Sequence, residues 1–225
     1  ANAEALAYLR RGLDLSPADE VAGRYALLMA IERVYDVQGL RQERAQLLDE
    51  LVALAGQLGA EQQARVALRR AIYAEATSDY PAAMTAAQAA IGWAQAAGHV
   101  AHEAAGFLYW GQALWRQSDH AAARLHLETA LARARAAGVA WLESSSLRVL
   151  GAVAWAVSDY SAARIYYEQA LEIVVNWAKW FHRWTSQFSR QQMDDILDVE
   201  TGGMLEAWAN LYAVTGKQEH LELLQ

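Results

Sequence analysis

The sequence predicts an all-α protein: a right-handed solenoid of helical hairpins, about four repeats of 40 residues, closed by a C-terminal hairpin outside the repeat. Three observations carry this. The 225 residues contain only two prolines among abundant Ala, Leu, Gln, Glu and Arg, the strong helix formers. "TSDYPAA", "QSDHAAAR" and "VSDYSAAR" place Asp79, Asp119 and Asp159 at a constant spacing of 40 residues. Between them Gly59, Gly98 and Gly138 mark a second set of breaks, so each period holds two helices.

The elements follow in order. Residues 2–14 read as the second helix of a cropped earlier repeat. Helices are then expected near 17–37, 41–58, 61–77, 81–97, 101–117, 121–137 and 141–157, with a long one from 161 to about 187. A Ser-Asp pair before each second helix suits an N-cap, because the side-chain oxygen can accept an orphan backbone N–H. Gly at the far end of that helix suits the left-handed position that stops it. Pro81 and Pro17 are expected in first turns, where the missing N–H costs little. A weaker copy, "VQGLRQERA", puts Gly39 and Leu40 at the phase of Asp79 and Tyr80.

These hairpins resemble tetratricopeptide repeats. The clearest copy holds Leu147, Leu150, Gly151, Tyr160, Ala163, Tyr167, Ala170 and Leu171 at the family's spacing, and the third holds Gly111, Ala123, Leu127, Ala130 and Leu131. Ala71, Tyr80, Ala83, Ala87 and Ala90 hold the second, and the first is degenerate. The 40-residue length is similar to the longer repeats of MalT-like and LuxR-type bacterial regulators, over about 17–172. Small residues at these positions let helices approach closely while the aromatic fills the space between repeats.

After residue 172 the period fails. The next helix–Gly–helix junction is at Gly216, alanine thins out, and Trp177, Trp180, Trp184 and Trp208 take over. The stretch 171–225, through "WFHRW", "DDILDVETGGM" and "WANLYAVTGKQEHLEL", resembles the β-L-arabinofuranosidase-like glycoside hydrolases. That resemblance implies a helical hairpin of an α/α toroid and an enzyme working through a zinc-bound cysteine. The chain has no cysteine. Apolar residues nevertheless continue through Tyr167, Leu171, Val174, Ala178, Phe181, Thr185 and Phe188, one unbroken helical stripe across the change of family. The expected organisation is therefore a solenoid over 1–172 and a hairpin over 173–225, continuous with the last repeat helix. Trp177, Phe181, Trp184 and Phe188 are expected to pack on the helix bearing Met204, Leu205, Trp208, Leu211 and Tyr212.

Charge and composition narrow the function. A net charge of −7 without a basic stripe removes the footprint of nucleic-acid binding. No apolar run is long enough to span a bilayer, and the N-terminus lacks the pattern of a secretion signal. The chain starts at Ala1 without an initiator Met, as a processed or excised piece would, and a cytoplasmic location is expected. His99 and His102 with Glu103 stand at metal-ligand spacing but lack a recognisable third ligand, so no metal and no cofactor are expected. Asp194, Asp195, Asp198 and Glu200 read as solvated charge around a helix start, with Glu200, Thr201, Gly202 and Gly203 opening that helix. "TGG" has no lysine after it and is no phosphate loop.

One constellation points to binding. Tyr35, Glu75, Trp115 and Trp155 recur at one phase of the first helices, with Glu32, Gln112, Arg116, Arg148 and Ala152 beside them. In a helical-repeat solenoid this phase faces the concave groove, and aromatics interleaved with Arg and Gln suit a bound peptide or protein. Packing of the same rings against the adjacent repeat is the competing reading. On these grounds the expectation is a non-enzymatic interaction scaffold, an engineered chimera of two families without arabinofuranosidase activity. A natural sensor fragment of a bacterial regulator is the alternative.

Overall fold

The computed structural model describes residues 2–189, 191–192 and 201–223, the side chains of 201–205 excepted. Eight helices run in hairpins: α1 (Asn2–Leu15), α2 (Val21–Gln38), α3 (Arg41–Leu58), α4 (Ala60–Ala76), α5 (Tyr80–Ala96), α6 (Val100–Arg116), α7 (His120–Ala137) and α8 (Ala140–Ala156). Then come the long α9 (Tyr160–Thr185), α10 (Thr201–Thr215) and the short α11 (Gln218–Glu222). No strand occurs among the described residues, and none of their helices is long and apolar enough to cross a membrane. The chain divides into two compact units, residues 1–167 and 168–225.

The breaks form by local chemistry. Asp79, Asp119 and Asp159 each accept a backbone N–H three residues on, from Ala82, Ala122 and Ala162. Ser78, Ser118 and Ser158 occupy the left-handed region at φ 62°, 65° and 63°. Each closes the preceding helix with paired bonds; the Asp119 N–H reaches the Leu114 carbonyl and the Ser118 N–H that of Trp115. Pro17 departs from expectation: α2 begins at Val21, and Pro17 lies in a turn whose carbonyl accepts the Glu20 N–H. Arg24 accounts for this, since it donates to the carbonyls of Leu13 and Ser16 and holds the end of α1 against the start of α2.

In the first unit α4 packs on α6 and α6 on α8, so the first helices of successive repeats form an inner layer. The joint between the two helices of a repeat is made by small residues. A Cβ on Gly111 would come within 2.7 Å of Leu127, and one on Gly151 within 2.7 Å of the Tyr167 ring. The first repeat makes the same joint differently. There the closing bonds run from Gly39 to Asp36 and from Leu40 to Tyr35, whereas the next repeat uses Ser78 to Glu75 and Asp79 to Ala74. Gly39 therefore matches Ser78, not Asp79, and the spacing into the first repeat is 39 residues. With that register Glu32 falls where Ala71, Gly111 and Gly151 stand, and Arg44 where Ala83, Ala123 and Ala163 stand. Glu32, 0% exposed, accepts from Arg44 Nε at 2.7 Å and from Arg69 Nε at 2.6 Å. Asp36 completes the network with the same two guanidinium groups, 2.7 Å from Arg69 Nη2.

The second unit is held by rings. Trp208, buried on α10, lies 5.3 Å from Trp177 and 5.4 Å from Phe181, centroid to centroid. Ala178 and Leu211 are buried in the same cluster, with Leu171, Val175 and Leu223 packed on it. Trp184 stacks along the helix on Trp180, lies tilted against Phe181 and meets the Phe188 ring edge-on. The expected partners Met204 and Leu205 lie outside the described side chains.

Candidate functional site

The one-residue shift in the first repeat decides where the expected groove residues go. Asp36, Glu75, Trp115 and Trp155 are the true equivalents, each accepting the closing N–H of its helix. Tyr35 is one position off and matches the buried Ala74, Leu114 and Ala154. It is 8% exposed, and its hydroxyl accepts from Arg10 Nη2 at 3.0 Å. Glu32 is likewise buried in the ion network rather than beside a groove. Four of the expected residues do meet. Glu75 Oε1 accepts from Gln112 Nε2 at 3.1 Å and lies 3.5 Å from Arg116 Nε. The Arg116 guanidinium in turn sits 4.7 Å from the centroid of the half-buried Trp115 ring. Trp155 is 61% exposed, with the edge of Tyr160 at 4.9 Å, and Arg148 is exposed on the same helix.

A cleft of about 280 Å³ opens in the second unit between α9 and α11, lined by Ala178, Lys179, His182, Arg183, Glu219 and His220. His182 Nε2 lies 3.2 Å from Glu222 Oε2. His220 is 1% exposed and its Nδ1 is 2.6 Å from Thr215 Oγ1. The Thr215 hydroxyl already donates to the Leu211 carbonyl at 2.8 Å, so its oxygen accepts and His220 carries its proton on Nδ1. That tautomer leaves a lone pair on Nε2, which has no hydrogen-bond partner and stands 3.7 Å from Glu219 Oε1. Burial pushes the His220 pKa down, which favours the neutral imidazole. Sequence reasoning did not single out His182, Glu219, His220 or Glu222. Their signal was present, since they sit inside "WFHRW" and "KQEHLEL", but their meeting depends on the fold of the tail.

Other sequence candidates resolve otherwise. His99 Nδ1 accepts the His102 N–H at 3.2 Å and caps α6, and the two rings stack at 3.6 Å. Burial, and then the neighbouring His99 ring, lower the His102 pKa to about 4. Among the described residues no group of three or more His, Asp or Glu side chains is placed to hold a metal. Asp194, Asp195, Asp198 and Glu200 lie outside the described residues, while Thr201 opens α10.

With both surfaces in place, comparison with known proteins identifies the chain. The family described as beta-L-arabinofuranosidase, GH127 catalytic domain, matches residues 76–225, more than half of the chain. The chain belongs to this family of glycoside hydrolases. No curated protein matches it in sequence. Among solved structures it is similar to BtubC (BKLC) from P. vanneervenii, with a TM-score of 0.66 at 14% identity over 100% of this chain and 87% of that one. The apo form of RapI matches with a TM-score of 0.61 at 14% identity over 98% and 95%, and MamA with 0.55 at 18% over 77% and 89%. At these identities the likenesses establish the helical-repeat fold.

One expectation is corrected by the family match. A catalytic-domain family overturns the reading as a non-enzymatic scaffold without natural activity. The match spans 76–225, a longer stretch than the 171–225 on which the resemblance was read. The inference from missing cysteine was too broad: it removes one nucleophile, whereas glycosidic bonds are commonly cut by paired carboxylates. The zinc-bound cysteine implied by the resemblance does not fit this chain, which offers no thiolate and no cluster of metal ligands among its described residues.

Proposed function

We propose that the chain acts as a glycoside hydrolase on arabinofuranosides, with the α9–α11 cleft as its reaction centre. The family match over 76–225 carries this reading. The cleft supports it with the side chains that the chemistry requires. Hydrolysis breaks the bond from the anomeric carbon to the leaving oxygen; water supplies a hydroxyl to that carbon and a proton to the oxygen. The His182 imidazolium, held by the Glu222 carboxylate, gives its proton to the leaving oxygen and takes another from solvent. Glu219, partly exposed on the cleft wall beside the buried His220, takes the proton of the attacking water. The measurement is release of p-nitrophenol from p-nitrophenyl α- and β-L-arabinofuranosides. Wild type should turn over one of them, and Glu222→Gln should lower kcat by about 100-fold or more with its melting temperature unchanged. Wild-type protein inert toward both anomers sinks the reading.

We also propose that the inner-layer face of the first unit holds an extended peptide, supported by the exposed Trp155 ring and the Arg116–Trp115 contact. The 40-residue hairpins, similar in length to those of MalT-like proteins, agree with it. A displayed peptide library selected on wild type and on Trp155→Ala separates the outcomes; equal recovery on both removes this surface.

A further inference from the structure

We propose that the first unit carries a small-molecule site for a planar aromatic acid between α3 and α5, distinct from either surface above. The cleft there measures about 590 Å³, within the range of drug-sized ligand sites. Its floor is Val66, Ala67 and Ala74 of α4; Ala82, Ala86 and Ala89 form the α5 wall.

Comparison of successive repeats shows what is missing there. One period on, Ala67, Arg70 and Ala86 become Phe107, Trp110 and His126. Those three side chains fill the corresponding space with rings: His126 stacks on Trp110 at 4.1 Å and on Phe107 at 6.0 Å. Two periods on, the same positions hold Leu147, Leu150 and Tyr166. The fourth repeat keeps a smaller cleft of about 390 Å³ there, lined by Leu150 and Tyr166, and the second, with two alanines and an arginine, opens to about 590 Å³. The void therefore has the outline of the ring stack that the third repeat builds there from its own side chains.

Two rings remain at its border: Tyr73 and Trp93, the latter 42% exposed, offer faces for stacking. Charge selects among aromatic ligands. Arg116, Arg124, Arg133 and Arg135 each lie against a carboxylate. Arg70, exposed at the mouth of the cleft, forms no ion pair or hydrogen bond among the described residues. Of the two acids in the lining, Asp79 is engaged in capping α5, and Asp49 stands exposed on the α3 wall. A ligand ring placed where His126 lies in the next repeat would set its carboxylate toward the free guanidinium.

The test is calorimetric titration of the intact chain with 1-naphthoate, 2-naphthol and decanoate, which separate ring from charge. 1-Naphthoate should bind one to one with a Kd on the order of 100 µM. The other two should bind at least about tenfold more weakly, by the tenfold-per-1.4 kcal/mol relation. The double variant Ala67→Phe, Ala86→His copies the next repeat and should abolish binding. Arg70→Gln, at an exposed position that leaves the core untouched, should weaken naphthoate about tenfold and leave naphthol unchanged. Absence of naphthoate binding, equal binding of naphthol or decanoate, or naphthoate binding that survives either variant overturns the site.

Discussion

The first and third repeats solve one packing problem in opposite ways. In the third, Gly111 admits Leu127 and the Ala123 carbonyl so closely that no side chain fits between the helices. In the first, the matching positions hold Glu32 and Arg44, and a buried ion pair with Asp36 and Arg69 occupies the joint. The first repeat also stops its leading helix with Gly39, where the third uses Ser118 in the same left-handed region. A close-packed joint owes its stability to shape, and costs nothing to desolvate. A charged joint must offset the desolvation of every member, so it holds only while all of them are present. The two repeats should therefore respond very differently to single substitutions.

The largest effect is expected at the charged joint. Glu32→Ala leaves Arg44 buried beside one remaining carboxylate and should cost about 3–5 kcal/mol, read from urea unfolding. Adding Arg44→Ala recreates the Ala71–Ala83 pairing of the second repeat and should recover at least half of that loss. A single variant as stable as wild type would show that the network contributes nothing to the joint.

At the close-packed joint the effect is smaller. Gly111→Ala places a Cβ against Leu127 and should destabilise by about 1–3 kcal/mol from overpacking, less the roughly 1 kcal/mol that Ala gains over Gly in a helix. Gly92→Ala, with nothing within 4 Å of its added Cβ, is the control and should stabilise. If both glycines respond alike, close approach is not what the third repeat depends on.

The smallest effect lies at the helix stop. Ser118 adopts φ 65° without being glycine. Ser118→Gly should relieve that strain and raise stability by about 0.5–1 kcal/mol, net of the entropy that glycine loses on folding. A melting temperature that falls would mean that the serine makes a compensating contribution at that turn.

The helix boundaries of the first unit were legible because they are set locally. An Asp oxygen within reach of an N–H three residues on, or a glycine free to take positive φ, marks a break without reference to the rest of the chain. Periodicity also settled which residues of the third and fourth repeats are buried, since Gly111, Leu127, Leu147 and Gly151 recur at the spacing of paired helices. The resemblance of the tail was legible in "WFHRW" and "ETGGM", and with it the enzyme family; the weight placed on missing cysteine led to the non-enzymatic reading that the family match overturns. What local pattern could not supply was register and encounter. A one-residue shortening of the first period moved Tyr35 from the open face into the core and placed Asp36 at the groove phase. Only the hydrogen bonds that close α2 reveal it. The meeting of His182 with Glu222, of His220 with Thr215, and the opening left by Ala67 and Ala86 depend on residues many turns apart. By itself the sequence determined the helices and the period, because these arise from bonds between neighbours along the chain. The tertiary structure decided which side chains share a cleft, because that depends on how whole helices are spaced and rotated against one another.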